Sequence, residues 1–274
     1  MAESITTNDE ARGWQQLFAN MLFWEFDGIP SSGNIRSAVG FMERALDLAR
    51  GARVLDLACG LGYHAIELAR RGYEVTALDW SEQYLGVART DAQEAGVTVH
   101  FVQRDMARMT LEDEFDAVVL WRNTFGMMCD DANAAVLRGM RRALRQGGRA
   151  LIDTQNYTGL PERLERGWSF KEGNENLLFL TEGTKDVRRG RFGFDVLAVD
   201  LATGKRHRMP YSWRLYLLPE LEKLVTDAGM RLLGVYGDDP AHVDWKSWRR
   251  GEPDPYSPEG FTDKAAKRIL LCEA

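Results

Sequence analysis

One run constrains this chain more than any other: Val54-Leu55-Asp56-Leu57-Ala58-Cys59-Gly60-Leu61-Gly62-Tyr63-His64-Ala65. A short apolar stretch ends on an acid, crosses two glycines and enters an amphipathic segment. The pattern predicts a strand that turns tightly into a helix. Its glycines let the backbone approach a ligand, and the helix start offers free N–H groups. The same texture continues downstream. Short apolar runs predict strands at 53–58, 73–78, 97–102, 115–121 and 149–153. Helical spacing predicts helices near 63–70, 82–95 and 131–145, the last ended by Gly147-Gly148. This alternation predicts an α/β fold, doubly wound around a mostly parallel sheet. Asp56, Asp79, Asp105 and the segment from Trp121 to Thr124 then fall at the carboxyl ends of strands one to four. That edge is where open α/β sheets bind ligands.

By itself, Gly60-x-Gly62-x-x-Ala65 also fits a dinucleotide fingerprint. Asp79 suits either cofactor, since both present ribose hydroxyls. Two other acids separate the readings. Asp56 would repel a pyrophosphate, but it suits the cationic amino end of an aminoacyl sulfonium. Asp105, in Val102-Gln103-Arg104-Asp105-Met106, can accept from an adenine amino group. A lone Asp in such a place is usually a cap or loop carboxylate, a reading that three in a row at consecutive strand ends do not suit.

Through these three positions the chain resembles the class I S-adenosylmethionine-dependent methyltransferases, over about residues 50–155. The resemblance implies a Rossmann-like methyltransferase fold with a seven-stranded sheet, and S-adenosyl-L-methionine as cofactor. It assigns Asp56, Gly60 and Gly62 to the methionine side, Asp79 to the ribose, and Asp105 with Met106 to the adenine. Trp80 would pack along the adenine or simply cover the sheet edge. Trp121, ending strand four, is counted with the cofactor residues.

The flanks differ in texture. Trp14, Leu17, Phe18, Met21 and Leu22 recur at helical spacing, as do Ile35, Ala38, Val39, Met42, Ala45, Leu46 and Ala49, with Gly28 to Gly33 between them. Residues 1–50 are expected to form a helical lid, with Trp14 toward the substrate and Arg36 toward the methionine carboxylate; plain packing on the core is the other reading. After the cofactor core at 51–155, residues 158–188 read as irregular. Strands near 191–201 and 206–217 flank the turn Ala202-Thr203-Gly204, so 156–217 is expected to be an antiparallel β cap inserted after strand five. Residues 218–274 return to the core, with a helix opened by Pro219, a strand near 230–236, a proline-rich loop at 240–258 and a last strand at 268–272. All of this belongs to one domain.

Composition narrows the partners. A net charge of −6 argues against nucleic acid, which needs a basic field. No run approaches the ~18–20 apolar residues of a membrane span. Three scattered cysteines without a CxxC pair, and first residues lacking a basic-then-apolar pattern, point to the cytoplasm. Asp130-Asp131 and Asp153…Asn156 are the oxygen-rich loops a Mg²⁺ would choose, yet Asp130-Asp131 reads better as a helix start, and no metal is expected. His64, His100, His207 and His242 read as structural, with His207 and His242 the two to test as bases. Oligomeric state has no sequence signal.

Leu120-Trp121-Arg122-Asn123-Thr124-Phe125-Gly126 and Ile152-Asp153-Thr154-Gln155-Asn156-Tyr157 resemble segments of the glycine N-methyltransferase group. The resemblance implies N-methylation of a small molecule in a lidded pocket bordered by Asn123, Phe125, Gln155 and Tyr157. One departure matters: the group's arginine, which grips the substrate carboxylate just before the Asn-Tyr pair, is replaced by Gln155. Glutamine cannot make that charged, bidentate clamp, so a larger or uncharged amine is expected. An amine arriving neutral needs no base, whereas a hydroxyl usually does. O-methylation by a histidine or Mg²⁺, an NAD(P)-dependent oxidoreductase and a non-catalytic cofactor binder remain as alternatives.

Overall fold

The computed structural model describes residues 14, 15, 17–19, 21, 22, 24, 30–156, 168–172, 176–238, 256–257 and 267–274. Helix α1 (Ser32–Leu46) starts at Ser31, whose hydroxyl accepts from the Asn34 N–H. Ser32 and Gly33, expected in the spacer, therefore lie in its first turn. Strand β1 (Arg53–Leu57), α2 (Tyr63–Arg70), β2 (Glu74–Asp79), α3 (Glu82–Glu94), β3 (His100–Gln103), β4 (Phe115–Leu120), α4 (Asp130–Ala143) and β5 (Leu144–Gln155) follow in the expected alternation. Beyond them come β6 (Trp168–Glu172), β7 (Leu177–Asp186), β8 (Arg191–Asp200), β9 (Arg206–Arg214), α5 (Leu218–Asp227), β10 (Arg231–Asp238), β11 (Tyr256–Ser257) and β12 (Lys267–Glu273).

The main sheet runs β11-β10-β12-β5-β4-β1-β2-β3, so its order reverses between β1 and β4. Strands β1 to β5 pair in parallel, and β10 to β12 join antiparallel. Seven strands carry the fold and two-residue β11 adds an edge. Apolar residues alternate between two clusters on β4: Ala117 and Val119 pack with α1 and α2, while Phe115, Val118 and Leu120 pack with α4 and the later strands. Both faces are thus covered, as a parallel sheet requires. No helix among the described residues is long and apolar enough to cross a membrane.

Strands β6 to β9 form a separate antiparallel sheet inserted after β5. Its first two members were expected to be irregular. The buried face of β7 is Phe179, Thr181 and Gly183, and a hydroxyl and a glycine there conceal the alternation. A second difference lies at Gly147-Gly148. These glycines do not end α4, which stops at Ala143, but lie inside β5. A Cβ on Gly148 would stand 3.0 Å from the Arg145 carbonyl oxygen and 3.1 Å from that of Asp116, so close approach accounts for Gly148, while Gly147 is set by its left-handed backbone, at φ +72°.

Candidate functional site

The acids expected at the strand ends meet at the carboxyl edge of the sheet, beside the reversal in strand order. Asp56 is 2% exposed, on the strand next to the one that ends at Asp79. One of its oxygens accepts from the Ala65 amide, while Oδ2 is buried without a hydrogen-bond partner. Burial first, and the neighbouring Asp79 second, push its pKa up to about 7. A buried carboxylate oxygen left unpaired is costly, and the cost is relieved by a cation that hydrogen-bonds to it. The donor set therefore fits an aminoacyl ammonium and opposes a pyrophosphate.

The turn between β1 and α2 is built from left-handed residues: Ala58, Gly60 and Gly62 have φ of +58°, +55° and +74°. Ala58 carries that conformation without glycine's freedom, a strain often found where backbone faces a ligand. Gly62 caps α2, and a Cβ there would stand 2.9 Å from the Ala88 Cβ, so its absence lets α3 pack close. The Gly60 N–H donates to Asp79 Oδ2 at 2.8 Å, and the Ser81 N–H to Oδ1 at 2.8 Å. The Trp80 amide is a third donor, which leaves one of the four acceptor positions for a ribose hydroxyl. Asp79→Ala is expected to weaken S-adenosylhomocysteine binding by about 1.5–3 kcal/mol. Calorimetry on the folded protein measures it, and unchanged affinity would remove the ribose assignment.

Asp105 caps a short 3₁₀ turn through the Ala107 amide at 2.9 Å, so the cap reading holds for one of its oxygens. Met106 is buried beside it in the same apolar cluster as Trp14, and Trp80 packs on that cluster. Trp14 meets Trp80 edge to face at 5.5 Å, which brings the N-terminal segment onto the sheet edge. Trp24 does so more closely: a Cβ on Gly60 would lie 2.7 Å from its ring, and the Arg122 guanidinium sits 5.1 Å from the ring centroid.

Two candidates are placed elsewhere. Arg36 is exposed and lines a shallow groove with Tyr63, Glu67, Arg70 and Asp91, on the outside of α1 and α2. Trp121 continues the Ala117-Val119 face and is buried against Phe41 at 6.0 Å, a core contact.

The loop after β4, expected to border an acceptor, has an unusual backbone. Arg122 and Asn123 have φ of +62° and +57°, and both amides donate to Asp153 Oδ2, at 2.9 and 3.2 Å. Trp213 Nε1 donates to the Asn123 carbonyl at 2.8 Å, tying the loop to β9. The side-chain Oδ1 of Asn123 is buried and has no hydrogen-bond partner. Phe125 is 1% exposed and packs on Tyr216, behind this surface. Gln155 is half-buried at the end of β5, opposite Lys267. Tyr157 and His242 lie outside the described residues.

His64 is buried in the first turn of α2, His100 is exposed on β3, and His207 sits beside Asp200 at the exposed β8–β9 turn. Asp130 accepts from the Tyr216 hydroxyl at 2.8 Å, and Asp131 shares its helical turn. Asp153, read as a loop residue that Mg²⁺ could choose, is instead inside β5. No group of three or more His, Cys, Asp or Glu side chains with metal-binding spacing occurs among the described residues.

Comparison with known proteins matches residues 54–148 to a methyltransferase domain family. The cypemycin N-terminal methyltransferase of a Streptomyces species is 28% identical over 198 residues, 68% of this chain and 76% of the relative. The malonyl-[acyl-carrier protein] O-methyltransferase of Enterobacter lignolyticus is 37% identical over 173 residues, 61% of this chain and 65% of the relative, just under two thirds of that protein. A putative methyltransferase of Bacillus subtilis is 39% identical over 209 residues, 70% of this chain and 78% of the relative. Among solved structures, the CcbJ methyltransferase of Streptomyces caelestis superposes with a TM-score of 0.72 at 23% identity, covering 97% of this chain and 99% of that one. An S-adenosylmethionine-bound amino pentose methyltransferase from Micromonospora echinaspora gives a TM-score of 0.63 at 19% identity, covering 93% and 96%. These two likenesses are of fold.

Proposed function

The chain belongs to the class I S-adenosylmethionine-dependent methyltransferases, and within that family we propose that it methylates the nitrogen of a small-molecule amine. When bound, S-adenosylmethionine supplies an electrophilic methyl group on its sulfonium. Asp56 holds the amino end of the cofactor, Asp79 the ribose, and Asp105 with Met106 the adenine. Trp14 and Trp24 close over them, and the sheet of β6 to β9 caps the acceptor.

The observation that carries the nitrogen reading is the buried, unpartnered Oδ1 of Asn123. It calls for a donor but is too weak a base to take a hydroxyl's proton, whereas a neutral amine held there by one N–H keeps its lone pair free to be aimed. With the cofactor in place, the amine would take its methyl group in line with the breaking carbon–sulfur bond, leaving S-adenosylhomocysteine and an ammonium whose proton would pass to water. Proximity and exclusion of water then supply most of the rate. Gln155 in place of a cationic clamp favours an amine larger than glycine or lacking a carboxylate. The relatives' names point the same way in part: one is a cypemycin N-terminal methyltransferase and one an amino pentose methyltransferase. O-methylation is the second reading, favoured by the acyl-carrier O-methyltransferase among the relatives.

Methyl-deuterated S-adenosylmethionine offered with matched amines, phenols and carboxylic acids separates the two, with mass spectrometry locating the label. An N-methyl product is expected; labelled ethers or esters alone would overturn the proposal. Asn123→Ala should then lower kcat/KM for that amine by about 10- to 100-fold, the cost of a lost charged or buried hydrogen bond. Its S-adenosylhomocysteine affinity should stay within about 1 kcal/mol, as for independent sites.

A further inference from the structure

Asp153 has no part in the proposed function, yet it is fully buried near the end of β5 and organises the loop that carries Asn123. Two successive non-glycine residues at positive φ are costly, and they persist only where the surroundings over-determine them. Here the over-determination is visible. Both N–H groups of the pair converge on a single Asp153 oxygen, and the carbonyl of the second is taken by the indole of Trp213. Three residues on the loop are fixed, since Gly126, at φ +98°, also accepts from the Arg214 amide at 2.8 Å. The carboxylate anchors the loop from the sheet, and β9 anchors it from the cap.

We propose that Asp153 is a positioning residue for the acceptor site: its carboxylate holds Arg122 and Asn123 in the left-handed conformation that directs the Asn123 side chain at the acceptor. The proposal rests on the reading that Asn123 borders the acceptor. The role given to Asp153 is to hold the loop through its backbone amides. A loop released from the carboxylate moves to ordinary backbone angles, which turns the Asn123 Cα–Cβ bond and misplaces Oδ1. Cofactor binding, held by Asp56 and Asp79 on other strands, is left largely intact.

The test compares Asp153→Ala with Asp153→Asn, because asparagine keeps an oxygen that can accept both amides. With the amine found in the labelling screen, Asp153→Ala should raise KM at least about tenfold, while S-adenosylhomocysteine affinity stays within about threefold of wild type. Asp153→Asn should restore KM to within about threefold. Wild-type KM in a folded Asp153→Ala protein, or equal losses of KM and cofactor affinity, would overturn the proposal. Amide hydrogen exchange supplies a readout that needs no acceptor. The Arg122 and Asn123 amides should exchange at least about tenfold faster in Asp153→Ala than in Asp153→Asn, with the Leu120 amide unchanged. Equal exchange in the two variants would overturn the clamp. If no amine is methylated, the nitrogen reading fails, and the exchange result still decides the clamp. Should Asp153→Ala not fold, Asp153→Asn against wild type is read in the same assays: a loss of protection at both amides would contradict the role given to the oxygen.

Discussion

Asp56→Asn is expected to weaken S-adenosylhomocysteine binding by about 2–3 kcal/mol and, at pH 8, to raise the melting temperature of the unliganded protein. The two effects have one origin. Asp56 is buried with an unpaired oxygen, so its charge is useful only when the ligand's ammonium is present. A hydrogen bond to a charged group contributes about 1.5–3 kcal/mol, which sets the loss in affinity. Its carboxyl titrates at about 7 in the folded protein against 3.8 in the reference state. The unfolded chain therefore gives up the proton first, and native stability falls as pH rises from about 4 to 7, then levels off. Asparagine carries no such penalty, so the gain should be absent near pH 4 and amount to a few kcal/mol, at most, above pH 7. Each kcal/mol corresponds to roughly 2–4 °C in a chain of this size. The same titration predicts that wild-type affinity for S-adenosylhomocysteine is about tenfold weaker at pH 6 than at pH 8, since the ligand binds the ionised form. Calorimetry across that range checks both parts. A flat profile, or a destabilised Asp56→Asn protein at pH 8, would contradict the account.

The second large effect is expected from Gly126→Ala, through the acceptor side rather than the cofactor side. Gly126 has φ +98°, and a Cβ there would stand 2.8 Å from the Arg214 carbonyl oxygen, which is backbone and cannot swing away. The substitution combines a backbone angle closed to alanine with a clash, and a loss of about 2–4 kcal/mol of stability follows. The relief available is for β9 to move off the loop, which breaks the bond from Trp213 to Asn123 as well. Turnover of the amine should therefore fall by at least about 100-fold. The folded fraction should still bind S-adenosylhomocysteine within about 1 kcal/mol of wild type. Thermal unfolding, single-turnover rates and calorimetry separate these quantities; near-normal turnover would show that the loop and β9 need not stay joined.

The meeting of three acids at one edge is legible because they sit where the period of the apolar residues changes. Asp56, Asp79 and Asp105 each end a strand-like run, and periodicity alone brings strand ends to one edge. The loop after β4 is less legible for a physical reason. Arg122 and Asn123 take left-handed angles with no glycine to announce them, and the bonds that hold them run from backbone amides to Asp153, thirty residues on. Side-chain identity carries no trace of such a contact. Burial misled in the same way at Trp121, which ends a strand at the right edge but continues its inward face onto Phe41. Arg36 was drawn toward the cofactor by charge, and the helix rotation places it outside. Gly147-Gly148 reads as a helix stop because the sequence does not show that a Cβ on Gly148 would stand 3.1 Å from the Asp116 carbonyl oxygen of the neighbouring strand.

Whether Asp56 Oδ2 is kept unpaired for the amino group of the cofactor is decided by a double-mutant cycle: wild type and Asp56→Asn, each titrated with S-adenosylhomocysteine and with its deaminated analogue, in which hydrogen replaces the amino group. The amino group is expected to contribute about 2 kcal/mol or more to wild-type binding, a contribution that nearly vanishes in Asp56→Asn, for a coupling well above the additive limit of about 0.5 kcal/mol. Equal discrimination between the two ligands by both proteins would contradict it.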